Sequence, residues 1–156
     1  MSKIVKREKT KVEDIDWKDD NNAFLVLPMA LDCKLTPLIK EVTKEYVGVK
    51  ERIRALRDRG FLKVGNIYVI KGFGLKKTTK LFLLMITHKD SKKKATPTNI
   101  TNCIERFNLG YREKVVTSVT FPIGSFKSFG GDVKKTSKLI NETLDDRILI
   151  NVRFIK

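Results

Sequence analysis

The sequence predicts an α/β protein with a mixed or parallel central sheet and helices on both faces, and three observations carry that prediction. Strand-like and helix-like segments alternate along the chain, the pattern that builds sheets flanked by helices. The run Leu81-Phe82-Leu83-Leu84-Met85-Ile86-Thr87 is almost wholly apolar, which suits a strand covered on both sides. The helix-like segments each carry one apolar stripe, the side they would lay against a sheet.

Taken in order, Ala23-Phe24-Leu25-Val26-Leu27-Pro28 is a short apolar run ended by proline and reads as a buried strand. Thr36-Pro37 opens a helix, with threonine as cap and proline in the first turn. Leu38, Ile39, Val42 and Tyr46 follow at helical spacing, and Gly48 breaks that helix. Val49, Ile53 and Leu56 continue on a second helix whose other face carries Arg52, Arg54, Arg57 and Arg59, stopped by Gly60. Residues 66–70 are a strand, Gly72 to Lys77 a turn, and 81–87 the strand in the middle of the sheet. Lys89 to Lys94 form a basic loop. Thr98 or Asn99 caps a third helix with Ile100, Cys103, Ile104 and Phe107 on one stripe, ending at Gly110. Val115 to Phe121 is a strand, and Pro122 to Gly131 a glycine-containing loop. Asp132 caps a last helix with Val133, Thr136, Ile140 and Leu144 inward, and Ile148, Ile150, Val152 and Phe154 alternate in a closing strand. Residues 1–11 are a basic N-terminal arm or a first strand, and residues 12–156 a single domain. In such sheets ligands bind beyond the carboxyl ends of the strands, which selects the loops 28–36, 87–97 and 122–131.

A chain of 156 residues is long enough to bury about two thirds of its unfolded surface in one core. Thirty-three Lys and Arg stand against 18 Asp and Glu, a formal charge of +15. That charge repels itself unless a polyanion or an acidic partner neutralises it. No apolar run reaches the roughly 20 residues of a membrane span, and none at the N-terminus has the length of a signal-peptide core. Two distant cysteines, Cys33 and Cys103, and the one histidine, His88, supply neither a disulfide framework nor a zinc spacing. These features predict an intracellular, cytoplasmic protein without metal or cofactor. The same compactness and charge suit a viral protein acting in host cytoplasm.

Several short pieces in fixed order resemble the macro domain family, in particular the short branch typified by terminal ADP-ribose glycohydrolases. They are Asp32-Cys33-Lys34-Leu35, then Ile86-Thr87-His88-Lys89 leading to Thr96-Pro97-Thr98, then Val116-Thr117-Ser118-Val119-Thr120-Phe121-Pro122. The resemblance implies a three-layer sandwich. Glu13-Asp14-Ile15 falls where the family carries an aspartate that accepts from the adenine amino group, which implies Asp14 as a base contact. Gly124 and Ser125 fall in the second phosphate loop.

The departures from the family shape the functional expectation. Thr36-Pro37-Leu38 stands where the family has a glycine-rich phosphate loop, and proline offers no amide. In Gly124-Ser125-Phe126-Lys127-Ser128-Phe129-Gly130 two small positions have become phenylalanine. The lysine nucleophile of the glycohydrolase branch falls on His88, with Lys89 one residue late, and its aspartate falls on Ser128 or Phe129. No catalytic residue is therefore expected. Basic residues with aromatics between them suit a polymer of phosphates and bases. The expectation is a non-enzymatic nucleic-acid binder, single-stranded RNA favoured over DNA, using Lys76, Lys77, Lys92, Lys93, Lys94, Lys127, Phe126 and Phe129 around one cleft mouth, with Arg7 and Lys9 adding reach. The alternative is a macro domain that binds ADP-ribose or hydrolyses ADP-ribosyl groups; a third reading is an adaptor with an acidic protein partner.

Overall fold

The computed structural model describes residues 4–10, 23–74, 79–90, 92, 95–111, 114, 116, 118–122, 133–144 and 149–155. Seven strands form one sheet. They are β1 (Ile4–Thr10), β2 (Ala23–Ala30), β3 (Tyr46–Val47), β4 (Ile67–Gly74), β5 (Thr79–His88), β6 (Ser118–Pro122) and β7 (Leu149–Ile155). Four helices are described: α1 (Pro37–Glu45), α2 (Val49–Asp58), α3 (Pro97–Gly110) and α4 (Val133–Thr143). The sheet order is β1-β7-β6-β2-β5-β4-β3. The pairs from β1 through β5 are parallel, whereas β4 runs antiparallel to β5 and β3 antiparallel to β4.

The alternation of side chains along β2 and β5 divides the core into two layers. Phe24, Val26, Leu83 and Met85 face α3 and α4, where they meet Ile100, Cys103, Ile104, Phe107, Ile140 and Leu144. Leu25, Leu27, Met29, Phe82, Leu84 and Ile86 face α1 and α2, where they meet Leu38, Ile39, Val42, Val49, Ile53 and Leu56. The result is a three-layer α/β sandwich, as the sequence predicts. Phe82 to His88 are all buried, and β5 lies inside the sheet between β2 and β4.

Several local expectations are corrected. Pro28 does not end its strand: β2 continues to Ala30, and Pro28 is in register with Met85. Among the described residues the ladder from β6 covers Ala23 to Leu25 and stops short of Pro28. Tyr46 is not helical. It forms β3 with Val47 opposite Gly74 and Phe73, and Gly48 at φ +97 turns the chain into α2. Gly72 is not in a turn but in β4. A Cβ there would sit 2.8 Å from the Phe82 ring and 2.9 Å from Val49, so only glycine lets strand and helix approach this closely. The cap of α3 is Thr96 with Pro97 behind it, rather than Thr98 or Asn99. The strand predicted over Val115 to Phe121 is Ser118–Pro122, and Asp132 lies outside the described residues.

Candidate functional site

The parallel strands place three carboxyl ends side by side: Ala30 of β2, His88 of β5 and Pro122 of β6. The first loop beyond them, residues 31–36, is held by its own backbone. Leu31 N–H donates to the His88 carbonyl at 2.8 Å and Cys33 N–H to the Ala30 carbonyl at 3.0 Å. Lys34 N–H donates to Asp32 Oδ1 at 3.0 Å, which closes an Asx turn. Cys33 at φ +62 is the one described non-glycine residue with positive φ, a strained conformation kept by those bonds.

Thr36 then caps α1. Its Oγ1 accepts from Ile39 N–H at 3.2 Å, and its carbonyl accepts from Lys40 N–H at 2.9 Å. Pro37 has no N–H to give. Two of the first-turn donors that a helix N-terminus could turn to an anion are thus absent or spent. Thr96 and Pro97 repeat the arrangement at α3, where Thr96 Oγ1 accepts from Asn99 N–H at 3.2 Å. In the connecting loop Asp90 Oδ1 accepts from Lys92 N–H at 2.8 Å.

His88 is the chemically distinctive residue at this edge. It is only 3% exposed, and its Nδ1 lies 2.8 Å from Thr87 Oγ1. Burial pushes its pKa below the ordinary 6.5, while the nearby carboxylates of Asp32 and Asp90 pull the other way. The imidazole is therefore neutral at pH 7. Lys89, one residue on, is exposed. The sequence places His88 on the family's nucleophile position but does not show that the charges of Asp32 and Asp90 act on it. The signal it does carry is their even spacing around the ends of β2 and β5.

Asp14, Lys76, Lys77, Lys93, Lys94, Gly124, Ser125, Phe126, Lys127 and Phe129 lie outside the described residues. Lys92 is exposed beside the carboxyl end of β5. Arg7 and Lys9 lie on β1, the outermost strand, three places from β2. Gly74 and Thr79, which bracket Lys76 and Lys77, stand at the amino end of β5, because β4 is antiparallel to it. Ten residues of β5 separate that end from His88, about 30 Å at about 3.3 Å per residue. Phe73 is 55% exposed, but at the same remote end. Among the described residues no group of His, Cys, Asp and Glu could hold a metal ion, and no helix is long and apolar enough to cross a membrane.

No sequence-family model and no curated protein sequence matches the chain. Solved structures do. The macrodomain of Mycobacterium tuberculosis DarG superimposes with a TM-score of 0.74 at 13% identity, over 98% of each chain. A macrodomain protein from Streptomyces coelicolor gives 0.71 at 17% identity, over 97% of this chain and 98% of that one. Thermosipho africanus DarTG, solved in complex with ADP-ribose, gives 0.71 at 15% identity over 85% of this chain and 38% of that longer one. These neighbours overturn the reading as a single-stranded RNA binder and favour the alternative set out with it. Sheet order, helix layers and superposition agree: this chain has the macro domain fold.

Proposed function

We propose that the chain is an ADP-ribose-binding module, with the ligand at the carboxyl ends of β2, β5 and β6. One observation carries the reading: the whole chain shares its fold with macrodomains, and DarTG, 38% of which superimposes on this chain, was solved in complex with ADP-ribose. The position also follows the general rule for open α/β sheets. The Thr36 cap and Pro37 leave the first turn of α1 with fewer amides for a diphosphate than a glycine loop would offer. Affinity should accordingly be modest, between about 10 μM and about 1 mM. Calorimetric titration with ADP-ribose, alongside AMP and ribose 5-phosphate, checks this. Saturable heat for ADP-ribose and much weaker binding of the fragments is the expected result. Absence of binding at about 5 mM ADP-ribose, some fivefold above the weakest affinity expected, would end the proposal.

We further infer that the site binds without hydrolysing. A covalent route through an amine needs a nucleophile of lowered pKa and a proton-transfer partner. His88, where the resemblance puts the lysine, is an enclosed imidazole of lowered pKa, and Lys89 is exposed one residue later. Incubation with an ADP-ribosylated protein should release no ADP-ribose. Release that disappears in a Lys89→Ala variant would overturn this inference.

A further inference from the structure

A pocket lies between α2 and the loop that follows β2, on the side of that loop turned to the helix. Its volume is about 130 Å³, and it is lined by Cys33, Leu35, Lys50, Ile53, Arg54 and Arg57. Lys50, Ile53, Arg54 and Arg57 fall at i, i+3, i+4 and i+7 of α2, which puts all four on one face of the helix. Ile53 is buried and Leu35 half-buried, so they form the floor. The three cations are exposed and form the mouth.

The charges at this mouth are unevenly matched. Arg57 Nε is 3.1 Å from Asp58 Oδ1, so that guanidinium is partly neutralised. Among the described residues no carboxylate pairs with Lys50 or Arg54. Asp32, in the facing loop, accepts from Lys34 N–H through Oδ1 and sets one negative charge against the three cations. Two cations without an ion-pair partner among the described residues, and a third paired with Asp58, line a space close to that in which an engineered cavity of about 150 Å³ holds one benzene ring. Apolar floor and cationic rim together select an amphiphilic dianion: one ring or short alkyl group inside, a tetrahedral oxyanion at the mouth. Arginine favours such a partner because its planar fork meets phosphate oxygens two at a time.

We propose that this pocket is a binding site for small organic phosphate monoesters, separate from the carboxyl-edge site. It rests on α2 and its facing loop alone and does not depend on the ADP-ribose reading.

The test is a heteronuclear NMR titration of the full chain with phenyl phosphate, inorganic phosphate and phenol as three separate arms. Phenyl phosphate should give saturable shifts centred on Leu35, Ile53 and Arg54. Inorganic phosphate should bind at least about fivefold more weakly, lacking the apolar contact, and phenol should not saturate. The double variant Lys50→Gln, Arg54→Gln should weaken phenyl phosphate about tenfold or more while its circular dichroism stays that of the wild type, since both side chains are exposed. Unchanged affinity in that variant, or shifts spread evenly over the basic surface, would refute the site. ADP-ribose added as competitor separates the two proposals. Displacement of phenyl phosphate by ADP-ribose would show that the pocket belongs to the first site and would refute its independence. Phenyl phosphate bound without displacement supports the pocket, whether or not ADP-ribose itself binds.

Discussion

The interior of the sheet and its carboxyl edge are built from the same three strands, yet they answer to different physics. Inside, Phe82 to Ile86 and Phe24 to Leu27 bury every side chain against one helix layer or the other. At the edge, a few residues further along the same strands, Leu31, Asp32, Cys33, His88 and Asp90 are organised by single hydrogen bonds and charges. The two cysteines show the contrast in one residue type. Cys103 is wholly enclosed under α3, and burial pushes its thiol up to about 12, with Arg106 and the Ile86 carbonyl opposing weakly. Cys33 is half-exposed. Burial raises its pKa as well, but Arg57 draws it back down while Asp32 and Asp58 add to the rise. The interior is inert and over-determined. The edge is held by few contacts, so single substitutions there change local geometry without unfolding the domain.

The largest effect should come from breaking the interior. The Phe107 ring stacks on Tyr111 at 4.7 Å between centroids and meets Phe24 edge-on at 5.4 Å, with no exposure. Phe107→Ala should cost about 3–5 kcal/mol in urea denaturation, a large fraction of what a domain of this size has. Leu109→Ala, two residues on and 69% exposed, should stay within about 0.5 kcal/mol. Similar losses at both positions would mean that α3 does not present its stripe to the sheet as described.

An intermediate effect is expected at the two Thr-Pro helix starts. Thr36→Ala and Thr96→Ala each remove a 3.2 Å cap bond and should each cost about 1 kcal/mol. Because the two caps share one geometry, the losses should agree. A loss at Thr36 that is greater by more than about 1 kcal/mol would show that the cap also holds the strained loop at Cys33.

The interior was legible in the sequence because period and hydrophobicity speak directly about burial. The stripe Ile100, Cys103, Ile104, Phe107 and the stripe Thr136, Ile140, Leu144 are buried as read. What escaped depends on partners distant in sequence. Tyr46 sits four residues after Val42 and looks helical, but Gly74 offers it a strand partner. Gly72 looks like a turn residue until Phe82 and Val49 crowd it from across the sheet and from α2. The direction of β4 was readable in principle. Only residues 75–78 separate it from β5, and a parallel crossover needs about a dozen. The cap at Thr36 could be read from Thr36-Pro37 and is borne out, but not that His88 is enclosed. That fact belongs to the fold of the loops around it.

The smallest effect should mark the boundary between the two regions, at His88. Its folded pKa lies below 6.5 because burial disfavours the imidazolium, and Asp32 and Asp90 offset only part of that. Between the folded and unfolded pKa values the unfolded chain binds a proton that the folded chain does not. Stability from this group is therefore complete above about 6.5 and is lost as pH falls from there through the lowered folded value. The many carboxylates add their own pH dependence, so the informative quantity is a difference between proteins. Urea midpoints of the wild type and of His88→Asn, each measured at about pH 7.5 and about pH 5.5, isolate it. Asparagine keeps a polar group within reach of Thr87 Oγ1 but does not titrate. The wild type should lose more stability on acidification than the variant. Equal losses would place His88 in contact with water and assign it to the edge alone. A wild type that gains on acidification relative to the variant would mean that Asp32 and Asp90 outweigh burial, and that His88 is a charged partner of the loops rather than the last residue of the core.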